Sequence, residues 1–199
     1  MIEIKDYFAA ELHDWQKKYG FKDPTGKVKI YYSSLAFAKT VQLVKAHSME
    51  IAWNMMIKPY KDGYKVYDIF VHPQSVNPVH VSVDVSKAWG YWKADLDEEV
   101  EANLFGQGHS HVNMGTFKSV IDENQQHDEI LTKGRGFYLF QIWNKRNEIN
   151  SYFYDIDNKI YYEDCDIELI VEGVDDFVSD SFNMVFGQRN ESYEVGEDF

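Results

Sequence analysis

The stretch "GHSHVNMGTFKSVIDEN", residues 108–124, places His109, His111, Ser119 and Asp122 close together in the chain. On an extended segment the side chains at i and i+2 share a face, so His109 and His111 point together and Ser110 points away. Imidazole is the commonest protein ligand for zinc, and two on one face supply half of a tetrahedral site. Ser119 and Asp122 lie three apart at the start of a predicted helix, which makes them neighbours on its surface. The intervening "VNMGTFK" holds an asparagine and a glycine able to turn the chain back over the strand end. Two imidazoles and one carboxylate leave a fourth coordination position, a ligand count that marks a catalytic zinc site more than a structural one. "S-x-x-D" is equally a capping pattern, so Ser119 can cap the helix as well as serve the site.

Water activated by zinc needs a base to take its proton. Glu50 is the candidate, as the only acidic residue between Val41 and Ile57, set among Met49, Ile51, Trp53 and Met55. On a strand it shares a face with Ala52, Asn54 and Met56. A lone carboxylate there is unfavourable unless paired or used, and partial burial raises its pKa toward the range of a general base.

The elements that must position these groups follow from periodicity and punctuation. Ile4, Phe8, Leu12, Trp15 and Tyr19 recur every three or four residues and predict an amphipathic helix. "KVKIYYS" predicts a strand, and "SSLAFAKTVQLVKAH" a serine-capped helix ending near His47. "SMEIAWNMMIKPY" and "YKVYDIFV", joined by "KDG", predict a hairpin, with "PVHVSVDVS" a further strand. "SKAWGYWKADLDEEVEANLF" predicts a helix weakened by Gly90, with Glu98, Glu99 and Glu101 on its solvated face. "FGQGHSHV" is then a strand, and "SVIDENQQHDEILTK" a helix closed by Gly134. "GFYLFQIW", "EINSYFY", "KIYYED" and "DIELIV" are late strands, and the aromatic run 152–162 reads as sheet core. His47, His72, His80 and His127 lack ligand spacing and read as surface or packing residues; Asn113 is a candidate for the site's lining.

The 199 residues suffice for one domain with a substantial core, and 44% apolar content excludes a disordered chain. A formal charge of -13 argues against nucleic acid as a partner, since phosphate binding needs clustered Lys and Arg. Cys165 stands alone, which rules out an internal disulfide and a cysteine-rich zinc site. With neither a signal peptide nor a membrane-length apolar run in view, the expectation is a soluble, cytoplasmic protein without membrane contact. The fold class expected is α+β, with an N-terminal helical extension at 1–26, a domain at 27–162 and an acidic C-terminal extension at 163–199.

Glu50 followed by "HSHVNMGTFKSVID" resembles the JAMM motif of the MPN/JAB-domain metallopeptidases, E…H-[ST]-H-x7-S-x2-D. The likeness covers roughly residues 27–160, with the same order of helix, Glu-bearing strand, hairpin and His-x-His strand. The resemblance implies a mixed curved β-sheet flanked by helices, in a cytidine deaminase-like architecture. It implies that His109, His111 and Asp122 ligate Zn2+, that Glu50 activates water, and that Ser119 steadies the tetrahedral oxyanion. The activity implied is hydrolysis of a peptide or isopeptide bond beside an extended protein or peptide tail, such as that of a ubiquitin-like protein. Deubiquitinating members usually carry proline after the second histidine, whereas Val112 stands here, as in bacterial and phage members. Two other readings stay open: a metal-stabilised scaffold or binding module, and a protease processing phage or bacterial-immunity proteins. Oligomeric state is not legible in the sequence.

Overall fold

The computed structural model describes residues 15–71, 74–77, 80–83 and 103–174, with the side chains of 75–77 and 80–83 excepted. Along the chain run β1 (Val28–Tyr32), α1 (Ser34–Ala46), β2 (Ala52–Tyr60), β3 (Gly63–Phe70), β4 (Gln74–Asn77) and β5 (His80–Val83). Then follow β6 (Leu104–Ser110), α2 (Val120–Lys133), β7 (Phe137–Trp143), β8 (Ile149–Asp155), β9 (Ile160–Tyr162) and, after a short 3-10 turn, β10 (Ile167–Val171).

Strand alternation divides the apolar side chains between two cores. Tyr138, Phe140 and Ile142 of β7 enter one, whereas Leu139 and Trp143 enter the other. β8 splits likewise, with Tyr152 and Tyr154 on one side and Phe153 on the other. The first core adds Ile30 and Tyr32 of β1, Trp53, Met55 and Ile57 of β2, and Ala36 and Val44 of α1. The second adds Ile130 of α2 and Phe21. The two helices therefore cover opposite faces of the sheet, and each large apolar side chain so buried contributes roughly 1.5–3 kcal/mol.

Eight strands join in the order β10-β1-β3-β2-β6-β7-β8-β9, and β4 pairs with β5 apart from them. β1 runs parallel to both β3 and β10, and β6 parallel to β7, with α2 as the crossover. The sheet curls far enough for β10 to touch β8 again. This is a mixed α+β domain. Among the described residues, no helix is long and apolar enough to cross a membrane.

Several expectations are corrected in detail. The strand expected to carry Glu50 begins at Ala52 and leaves Glu50 just outside it, because the chain leaving α1 spends residues 47–51 crossing to the sheet. "PVHVSVDVS" does supply a strand, β5, with 78–79 and 84–86 outside the described residues; what the sequence reading did not name is its antiparallel partner Gln74–Asn77. Leu104 and Phe105, expected to end a helix, open β6 after a turn at Asn103; residues 86–102 of that helix, with Glu98, Glu99 and Glu101, lie outside the described residues. Of the N-terminal helix, residues 15–18 are helical and 1–14 lie outside the description, as do His72 and residues 175–199. The strand "DIELIV", within the 163–199 extension, pairs along its length with β1.

Candidate metal centre

β6 carries the first candidate ligand at the middle of the sheet, where His109 lies opposite Ala52 of β2 and Ile142 of β7. The glycines before it decide how deeply the strand sits. A Cβ on Gly108 would lie 2.4 Å from the Trp53 ring, so only a bare backbone lets that buried indole pack beneath the strand. Ser110 faces the same core, 1% exposed, and its Oγ accepts from the Ile51 N–H at 3.3 Å. His109 and His111 share the opposite face, as the sequence predicts, although β6 formally ends at Ser110.

His111 is fixed on both sides. Its backbone N–H donates to the Trp143 carbonyl at 2.8 Å, and its Nδ1 lies 2.8 Å from the Gly115 carbonyl. A carbonyl only accepts, so Nδ1 carries the proton and Nε2 presents its lone pair. The Gly115 carbonyl is held there by a tight turn in which Val112 takes φ 49° and Met114 N–H donates to the His111 carbonyl at 2.8 Å. The β7–β8 turn clamps this loop, through Lys145 N–H to the Val112 carbonyl at 2.7 Å and Asn144 Nδ2 to the Met114 carbonyl at 2.9 Å. Sequence reasoning missed Gly115 and Asn144. The turn glycine was visible, but a backbone carbonyl leaves no residue-type signature. Asn113, the suggested lining residue, is exposed.

Asp122 arrives from the first turn of α2. Ser119 is the N-cap, and its backbone N–H and hydroxyl both donate to Asp122 Oδ2, each at 2.7 Å. The Asp122 N–H returns a bond to Ser119 Oγ at 3.2 Å, completing a capping box. Oδ2 is thereby committed to the cap, and Oδ1 faces His109 Nε2 at 3.2 Å. Because a serine hydroxyl has one proton to give, Ser119 cannot serve an oxyanion while it donates to Asp122.

The three groups converge. The His109 and His111 Nε2 atoms are 3.0 Å apart, and His111 Nε2 lies 3.5 Å from Asp122 Oδ2. A tetrahedral ion bonded at about 2.0–2.1 Å holds its ligand atoms about 3.3 Å apart, so these separations fit three corners of such a site. The nitrogen-rich donor set suits zinc and other imidazole-binding transition metals, and does not suit calcium or magnesium. His109, His111 and Asp122 form the potential metal-holding cluster of histidine, cysteine and acidic groups among the described residues.

Glu50 stands two residues before β2, across from the cluster. The Ser110 N–H donates to the Ile51 carbonyl at 2.9 Å, and continuing the Ala52–His109 register carries Glu50 opposite His111. Glu50 is 5% exposed, and its charge acts on His111. Burial pulls the His111 pKa down, but the Asp122 hydrogen bond, the Gly115 carbonyl and the charges of Asp122 and Glu50 outweigh it and leave the pKa raised. Burial favours neutral Asp122, but the hydrogen bonds from His109, His111 and Ser119 hold its carboxyl far below the usual range. Two carboxylates around two imidazoles make a place for a cation.

His47 is exposed, while His127 stacks face to face on Trp15, 3.8 Å between centroids, as a packing residue. No family model matches the chain, and no curated protein matches it. Among solved structures, the solution structure of protein DSY2949 from Desulfitobacterium hafniense is similar with a TM-score of 0.47 and 16% identity, covering 72% of this chain and 94% of that one.

Proposed function

We propose that this chain is a zinc-dependent metallopeptidase or isopeptidase of JAMM type, hydrolysing an amide bond beside an extended tail of a protein or peptide substrate. One observation carries the reading: His109, His111 and Asp122 converge at 3.0–3.5 Å with a buried carboxylate, Glu50, across from His111. Bound zinc would polarise the scissile carbonyl and make water acidic enough to attack near neutral pH.

The chain's own residues divide the remaining work. His109 and His111 offer Nε2, with the Gly115 carbonyl holding the His111 tautomer. Asp122 offers Oδ1, and Ser119 fixes the carboxylate's orientation through Oδ2. The oxyanion role implied for Ser119 requires its hydroxyl to leave Asp122. Glu50 takes the proton of the attacking water and delivers it to the leaving amine nitrogen. Its burial favours that exchange, because a desolvated carboxylate holds a proton better than an exposed one.

The test joins metal content with turnover. Purified protein should carry one zinc by elemental mass spectrometry. Glu50→Gln should retain the zinc, lose about 10²–10⁴-fold in hydrolysis, and trap substrate proteins from the native host for identification. A wild-type chain that binds no zinc, or a Glu50→Gln variant that still cleaves the substrate it trapped, would sink the proposal.

A further inference from the structure

His109 ligates, on this reading, through Nε2, the nitrogen that faces His111 Nε2 at 3.0 Å and Asp122 Oδ1 at 3.2 Å. Its proton must then sit on Nδ1. A ligating histidine whose second N–H lacks an acceptor is free to rotate or to change tautomer. For His111 the acceptor is the Gly115 carbonyl. For His109 the contacts to described residues are made by Nε2.

An acceptor without a donor lies beside it. Gln126 is 3% exposed, and its Oε1 is buried with no hydrogen-bond partner among the described residues. Gln126 follows Asp122 by one helical turn and therefore shares its face of α2. His109, Asp122 and Gln126 line one pocket with Gln107, Gln125 and Phe140, and it has room for about one water. The His109 ring and a buried carbonyl in need of a donor thus border the same small polar space.

We propose that Gln126 is a positioning residue for His109, its Oε1 accepting the Nδ1–H either directly or across a single water in that pocket. This rests on the metal-site reading and deepens it: α2 supplies a ligand at Asp122 and, one turn later, the group that orients another ligand. A neutral carboxamide suits the task, since it fixes the tautomer without adding a third negative charge beside Glu50 and Asp122.

The experiment is zinc affinity by competition with a chromophoric chelator, on the full chain and on Gln126→Leu and Gln126→Glu, with thermal melts to confirm folding. Gln126→Leu should bind zinc about 10–100-fold more weakly. Gln126→Glu, which keeps an acceptor, should stay near wild type. In parallel, nitrogen NMR of zinc-loaded wild-type protein should find His109 protonated on Nδ1, with slow exchange of that proton. A folded Gln126→Leu variant of wild-type affinity overturns the inference alone, whereas a wild-type chain that binds no zinc removes the metal-site reading with it. Should Gln126→Leu fail to fold, the NMR decides, and a fast-exchanging Nδ1 proton or a proton on Nε2 overturns the assignment.

Discussion

Replacing Ser119 with alanine separates two roles that one hydroxyl cannot fill at once. The hydroxyl donates to Asp122 Oδ2 at 2.7 Å and accepts from the Asp122 N–H at 3.2 Å. Losing an N-cap of this kind costs about 1 kcal/mol. Losing a hydrogen bond to a charged acceptor removes about 1.5–3 kcal/mol more in a dry setting. Ser119 is exposed, so water takes over much of that second bond, and its backbone N–H still holds Oδ2 at 2.7 Å. The net expectation is about 1–2 kcal/mol, a fall in melting temperature of about 3–6 °C for a domain of this size. Zinc affinity should fall about 10-fold or more, because the carboxylate loses part of its orientation. Melting in the presence of chelator and zinc competition measure these two effects, and turnover at saturating zinc measures a third. If Ser119 acts through Asp122, saturating zinc restores turnover to within a few-fold. An unchanged melt and unchanged zinc affinity, with turnover lost by about 10²–10³-fold, would mean that the hydroxyl serves the oxyanion instead. That result would refute the positioning argument.

Three further outcomes are expected. Gly108→Ala sets a methyl 2.4–2.5 Å from the buried Trp53 ring, and should cost about 1–3 kcal/mol in urea unfolding and weaken zinc binding by displacing His109. His109→Ala and Asp122→Asn should each lose stoichiometric zinc while still folding, as read by elemental analysis and circular dichroism. The metal-free protein should have a stability maximum on the acid side of neutral. Asp122's folded pKa is depressed, so its contribution is present above the usual carboxylate range and lost as pH falls through the folded value. His111's folded pKa is raised above 6.5, so its contribution is full below 6.5 and lost as pH rises through the folded value. Zinc competes with that same proton, so zinc affinity should instead rise with pH over this interval. Chelator-treated melts that stay flat between pH 6 and 8 would contradict this account of His111.

The convergence of His109, His111 and Asp122 was legible because their spacing is local. His109 and His111 keep the i, i+2 relation past the formal end of β6, and Ser119 with Asp122 spells a capping box in residue types alone. Glu50 was legible for a different reason: a carboxylate in an apolar run needs a purpose wherever the strand starts. The strands were largely readable from alternation, and Gly134 does close α2 in a left-handed conformation. The parallel pairing of β1 with β10 was not readable, because it joins segments far apart in the chain and no local signal sets that register. The β4–β5 pair was half readable: "PVHVSVDVS" alternates and holds β5, whereas the four residues "QSVN" of β4 are too short a run to announce a strand. Gln126 escaped because a glutamine in a polar helix looks like surface until the helix is docked.

Val112 draws a boundary around the likeness on which the functional reading leans. Its φ of 49° is one that a β-branched side chain rarely adopts, and proline, locked near -65°, cannot adopt it at all. The proline usual after the second histidine in deubiquitinating members of the family the motif resembles therefore has no seat in this loop. Met114 and Phe117, 44% and 66% exposed, lie just beyond that left-handed step, so their placement depends on this loop course. A change to that proline would therefore require the backbone at 112 to leave its left-handed turn, and with it the carbonyl of Gly115 that holds the His111 ring.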